Sequence, residues 1–153
     1  MPQPQRMTTK EDALTILKKG EYGVLSLITG DGEPYGVPLN YCYDEQRGCV
    51  YFHCALTGKK LEAIASSPRA SLAVVTQSQV VAEEIDTRYE SAVVNGAIAR
   101  VEEPDEMLGA LRLLCARLAP GMEHTIADRK CMPRVAVIRL TVQEITGKRN
   151  DEI

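Results

Sequence analysis

Apolar and polar positions alternate along most of the chain, in short runs interrupted by three stretches of helical period. The first helical stretch, "TTKEDALTILKKG" (8–20), has Leu14 and Leu17 on one face and Thr8 and Glu11 at capping-box spacing. Lysines ahead of a closing glycine suit a helix C-terminus. Three strand-like runs follow at 22–29, 34–43 and 49–55, joined by the turn-forming "GDGE" and "DEQRG". Such short links predict an antiparallel meander. "TGKKLEAIASS" (57–67) predicts a helix with Thr57 as N-cap, halted by Pro68. Further strands are expected at 70–76, 79–85, 89–101 and 134–146, with a bulge or bend at Gly96. Pro104 opens a helix over 104–119 that carries Met107, Leu111, Leu114 and Leu118 on one face. The span 120–133 reads as a loop or an irregular helix, and 1–7 as a flexible tail. Many short strands with three helices predict an α+β domain whose strands close into a small barrel.

Composition narrows the partners. The chain has 153 residues, enough for one domain with a real core, and a net charge of −3 with 25% charged residues. That balance offers no general attraction to nucleic acid or to an anionic membrane, so any basic site is local. The N-terminal stretch has no apolar signal core and no run approaches a membrane span, so a cytoplasmic protein is expected. The five cysteines include no CxxC pair and there are only two histidines, which argues against a disulfide framework and a metal site.

The chemistry gathers in "YFHCALTGKKLEAI" (51–64). Alternation puts Val50, Phe52 and Cys54 on one face of their strand and Tyr51 and His53 on the other. His53 is either a satisfied half-buried histidine or a titratable group at a site. Lys59 and Lys60 stand in the first turn of the next helix, where the helix dipole disfavours cations. Exposed N–H groups and two ammonium groups there would make a phosphate trap; the alternative is two solvated surface lysines. Upstream, Pro38 in mid-strand implies an edge strand, leaving main-chain groups free to meet a flat polar ring, with Asn40 beside them. The same edge could serve only to block aggregation.

Four segments, "DGEPYGVPLNYCY", "VYFHCALTGKKLEAIASSPRASLAVV", "RYESAVVNGAIARVEEPDE" and "VAVIRLTVQEITGKR", together resemble the pyridoxamine 5′-phosphate oxidase-related split barrels over residues 8–149. Within that group the chain is most similar to the 5-nitroimidazole-resistance (Nim) proteins. The resemblance implies a six-stranded antiparallel split β-barrel, a homodimer, and FMN in clefts at the subunit interface. It implies that Val37, Pro38, Leu39 and Asn40 line the isoalloxazine, that His53 and Cys54 take the place of a tyrosine–threonine pair, and that Lys59 and Lys60 grip the phosphate. Arg88 and Tyr89 would approach the cleft from the other subunit.

Departures from the oxidase pattern narrow the activity. Cys54 replaces a hydroxyl residue, and the tryptophan and arginine that serve the pyridoxal phosphate substrate have no counterpart, so pyridoxamine phosphate oxidation is not expected. The leading expectation is an FMN-dependent reductase of small flat acceptors such as nitroaromatic compounds. His53 would supply a proton or orient the acceptor, with Tyr51 as the weaker candidate for that role. The alternatives are a binding or storage protein for FMN or heme, with His53 as axial ligand, and a dimeric scaffold with an empty cleft.

Overall fold

Period-two alternation becomes a sheet whose two faces meet different surroundings. The computed structural model describes residues 4–122 and 134–151. Most of the irregular span expected at 120–133 therefore lies outside the described residues. Ten elements follow in order: α1 (Lys10–Lys19), β1 (Tyr22–Ile28), β2 (Pro34–Asn40), β3 (Cys42–Asp44), β4 (Cys49–Cys54), α2 (Lys59–Ser66), β5 (Arg69–Val81), β6 (Asp86–Arg100), α3 (Pro104–Leu118) and β7 (Ala136–Asn150).

All strand pairs are antiparallel, in the spatial order β2-β1-β5-β6-β7-β4-β3. β2 and β3 stand at opposite ends of that order yet are joined through Tyr41 alone, so the sheet curls back on itself as a split barrel. The six strands expected become seven because the run 34–43 bends there into two. Tyr41 pins the bend: it is buried, and its hydroxyl donates to the Leu17 carbonyl at 2.5 Å.

The inward face carries Leu25, Leu27, Val50, Phe52, Leu72, Val74, Val94, Ile98, Ile138 and Leu140, with Ala13, Ile16 and Leu17 of α1 and Ala63 and Ile64 of α2 added to the same core. A second cluster forms where α3 lays Leu108, Leu111 and Leu114 on Cys42, Cys49, Tyr51 and Val137. α1 and α2 pack on the inner face of β1, β5 and β6; on the outer face of β2, β1, β5 and β6 no helix among the described residues packs. The cross-strand row Pro38–Val24–Ala73–Val93 is exposed there.

Several local expectations shift. α1 is capped by Thr9, whose Oγ1 accepts from the Asp12 N–H at 3.2 Å; the Thr8 N–H instead donates to the Gly147 carbonyl at 3.0 Å. Within the expected tail, Pro4–Arg6 form a 3₁₀ turn, Met7 bridges Lys148, and Arg6 Nη2 donates to Asp86 Oδ2 at 2.7 Å. The separate strand expected at 79–85 is instead the outer half of β5, continuous through a bulge at Thr76. The chain reverses only at Ala82–Glu84 and at Ile85, which has a φ of 50°. Gly96 does mark a register shift against β7, and a Cβ there would lie 1.7 Å from the Thr141 carbonyl oxygen. Among the described residues no helix is long and apolar enough to cross a membrane.

Candidate functional site

The split itself brings the candidate residues together. β3 pairs with β4 as Asp44↔Cys49, Tyr43↔Val50 and Cys42↔Tyr51. Continued, that register would set Asn40 opposite His53 and Leu39 opposite Cys54. The ladder stops first, because β2 turns away at Tyr41 to pair with β1 from Tyr22↔Asn40 to Ile28↔Pro34. β2 therefore ends the sheet with its second edge unpaired, the position that Pro38 suits. Val37, Pro38, Leu39 and Asn40 lie on one side of the opening; His53, Cys54, Lys59 and Lys60 lie on the other. The sides touch: Lys59 Nζ stands 4.3 Å from the centroid of the Tyr35 ring on β2.

Alternation decides which side chains are offered. Val37 and Leu39 are half-buried against the inner core, whereas Pro38 and Asn40 are exposed. Asn40 spends one donor locally, on the Glu21 carbonyl at 3.0 Å, so main-chain groups are what β2 chiefly presents. Across the split, Cys54 continues the inward series of Val50 and Phe52, and His53 points to the outer, exposed side. One flat ligand cannot lie against both side chains except around the strand end. Loss of hydration near the protein surface lowers the pKa of His53, which favours the neutral imidazole.

Tyr51 is not at the opening. α3 covers it, and its hydroxyl donates to Glu106 Oε2 at 2.7 Å. Arg139 Nη1 donates to both oxygens of the same carboxylate at 2.6 and 2.7 Å, and Arg47 Nη1 is 3.4 Å away. Burial pushes the Glu106 pKa up, but the bonds from Arg139 and Tyr51 and the charges of Arg139 and Arg47 outweigh it and hold the carboxyl below its ordinary value. The alternation that put Tyr51 beside His53 could not reveal that a helix covers one and not the other. Arg88 and Tyr89 lie at the opposite end of β6 from Arg100, about 35–40 Å along the strand at ~3.3 Å per residue. Within one chain they do not reach the split.

α2 begins later than expected. Gly58, not Thr57, is the N-cap, at a φ of 143°, and no side chain caps the helix. The two lysines then diverge. Lys59 lies against Tyr35 and lines a cavity of about 570 Å³ between α2 and the β1–β2 turn, together with Asp31, Glu33 and Glu62. Lys60 instead acts on Cys54: burial raises that thiol's pKa, opposed first by the charge of Lys60 and then by that of Arg100.

Arg100 was absent from the expected site. It ends the inward-facing series Ala92, Val94, Ile98 on β6, a pattern visible in "SAVVNGAIAR" as a charge in phase with core residues. Among the described residues, no carboxylate forms an ion pair with Lys59, Lys60 or Arg100.

Comparison with known proteins agrees with this architecture. No curated protein matches the chain. Among solved structures, a protein provisionally assigned to 5-nitroimidazole antibiotic resistance from Bacteroides thetaiotaomicron superposes with a TM-score of 0.76 at 20% identity, covering 93% of this chain and 85% of that one. An FAD and heme binding protein from Mycobacterium smegmatis gives 0.77 at 20% identity, covering 95% and 74%. An FAD-binding protein from Mesorhizobium loti gives 0.67 at 22% identity, covering 95% and 98%. At such identities these likenesses concern the fold. The sequence profile of the pyridoxamine 5′-phosphate oxidases, by contrast, matches residues 9–149, nearly the whole described barrel. The chain belongs to the pyridoxamine 5′-phosphate oxidase family.

Proposed function

We propose that this protein binds FMN in the split between β2 and the 53–60 segment and serves as a flavin-dependent reductase of small flat acceptors, nitroaromatic compounds among them. The observation that carries this reading is the convergence, across one opening, of a strand edge and cations that, among the described residues, have no strand partner and no ion-paired carboxylate. The fit is chemical. An isoalloxazine edge alternates donors and acceptors, which the main-chain groups on the edge of β2 match, and a phosphate supplies the counter-charge that Lys60 does not find among the described residues. Structural neighbours named for FAD binding support a flavin in this fold. Bound there, the flavin supplies the redox chemistry.

The chain's own part is to orient and to exclude. Val37 and Leu39 anchor β2 to the core, so its edge is held rigid. Pro38 keeps that edge from pairing with another strand. His53, exposed and largely neutral at pH 7, can accept or pass on a proton at Nδ1 or Nε2 for an acceptor stacked at the opening. The exposed row Pro38–Val24–Ala73–Val93, with Tyr22 and Val75 beside it, is the face that a second copy would cover. In such a homodimer the split would lie next to the interface, and Arg88 and Tyr89 could reach it only from the other subunit. The substitution pair Val24→Asp with Ala73→Arg should convert a dimer to monomer in sedimentation equilibrium; an unchanged mass would remove this face from the assembly.

The deciding measurement is the visible spectrum of the purified protein, as isolated and after FMN addition and gel filtration. Two broad flavin bands retained with the protein support the reading. A second reading, heme bound through His53, rests on the exposure of that neutral imidazole and would give an intense Soret band instead. With flavin retained, His53→Ala should keep binding and slow the reduction of a nitroaromatic acceptor. Unaltered turnover would exclude a role for that imidazole.

A further inference from the structure

At the end of the barrel the inward-facing side chains stop being apolar. Two rows cross from β4 through β7 to β6, Val50–Leu140–Ile98 and then Phe52–Ile138–Arg100, and a third, Cys54–Ala136, ends on β7. The first row is buried throughout, and in the second an arginine takes the place of a third apolar residue. In the last row Ala136 is buried and contributes only a methyl group, beside the half-buried Cys54. Lys60, half-buried in the first turn of α2, follows Cys54 by six residues, and the charges of both cations reach its thiol. Two cations thus converge on one half-buried thiol at the mouth of the barrel, and neither forms an ion pair among the described residues.

Lys59 faces different chemistry. Its cavity holds Asp31, Glu33 and Glu62, three carboxylates against one ammonium, which repels a phosphate dianion. Its ammonium is already placed over the Tyr35 ring.

We infer that Arg100, rather than Lys59, joins Lys60 in holding the terminal phosphate of the bound flavin mononucleotide. This inference rests on the flavin reading above. It assigns the guanidinium a bidentate grip on two phosphate oxygens and Lys60 a single point charge. Cys54 then stands beside the phosphate with a weak S–H donor, and Arg100 offsets the hydroxyl that this position lacks.

The test compares FMN with riboflavin, which has the same ring and no phosphate, by quenching of flavin fluorescence on titration with wild type, Arg100→Gln, Lys60→Gln and Lys59→Gln. Arg100 is exposed at a strand end, so the glutamine variant should fold; its thermal midpoint is measured alongside. Arg100→Gln and Lys60→Gln are each expected to weaken FMN binding roughly tenfold and to leave riboflavin within about twofold, as loss of a charge-assisted bond implies. Lys59→Gln is expected to change neither by more than about threefold. Arg100→Lys should restore part of the FMN preference. Three results overturn the inference while leaving the flavin reading intact: unchanged FMN affinity in Arg100→Gln, equal losses for FMN and riboflavin, or a larger FMN loss in Lys59→Gln than in Arg100→Gln. A wild-type protein that binds neither flavin overturns both.

Discussion

Arg139 and Arg100 are near neighbours with opposite surroundings. Arg100 pairs in register with Ile138, one residue from Arg139, yet the two side chains leave the sheet on different faces. On the outer face Arg139 holds both oxygens of Glu106, which also accepts from the hydroxyl of the buried Tyr51. On the inner face Arg100 reaches the barrel mouth with no ion-paired carboxylate among the described residues. A cation whose counter-charge is supplied by the chain belongs to the fold, and removing either partner costs stability. A cation left at an opening without one belongs to whatever anion arrives. Glu90 repeats the first case: it bonds Lys19 Nζ, accepts from Thr76 Oγ1 at 2.6 Å and lies 3.3 Å from Arg149 Nε.

The largest expected effect lies on the paired side. Glu106→Ala leaves Arg139 facing an apolar layer and Tyr51 without its acceptor, and should lower unfolding free energy by about 3 kcal/mol in urea titration. FMN affinity in the folded variant should stay near wild type. A loss below ~1 kcal/mol would mean that the carboxylate is better solvated than its 9% side-chain exposure implies.

Acid is a gentler way to break the same pair. The Glu106 pKa is lower folded than unfolded, so the unfolded chain takes up more protons as pH falls. The sign follows: the stabilisation is complete above roughly pH 5, past the unfolded value near 4.3, and is lost as pH drops through the folded value. Urea midpoints measured from pH 7 to pH 3 should therefore fall less steeply in Glu106→Gln than in wild type. Arg100→Gln should keep the wild-type slope, since among the described residues no carboxylate forms an ion pair with it. A flattened slope in Arg100→Gln would show that the mouth has an internal counter-charge after all, and the contrast between the two faces would fail.

How much of this was legible beforehand depended on the range of the interaction. Strand alternation correctly separated Val50, Phe52 and Cys54 from Tyr51 and His53, because side-chain period is a local property. The Gly96 bulge was equally visible, since a glycine amid β-branched residues has few other reasons to be there. The bend at Tyr41 was not, because it depends on a hydroxyl reaching Leu17 far back in the chain. Thr8 had the capping-box spacing with Glu11, but its N–H is tied to Gly147 and Thr9 caps the helix instead. At the site, position in sequence paired Lys59 with Lys60, but adjacent residues on a helix point about 100° apart. The structure sends them to different neighbours. Arg100 was in principle readable from its phase with Val94 and Ile98; its relation to Cys54 needed β7 in place between them.

The smallest expected effect sharpens the comparison most, because it concerns Lys59, the cation left out of the phosphate assignment. Lys59 lacks an ion pair among the described residues, as Lys60 and Arg100 do, but it has an aromatic face to rest on. A cation over an exposed ring is worth about 0.5 kcal/mol, so Tyr35→Leu should shift the thermal midpoint by no more than a few degrees. If Lys59 is satisfied in this way, freeing it should leave the preference for FMN over riboflavin where it was. If the preference instead rises, the ring was holding Lys59 back from the phosphate, and the number of cations committed to the ligand is three. The acidic lining of the neighbouring cavity argues for the first outcome: a lysine released from Tyr35 meets Asp31, Glu33 and Glu62 before it meets the barrel mouth.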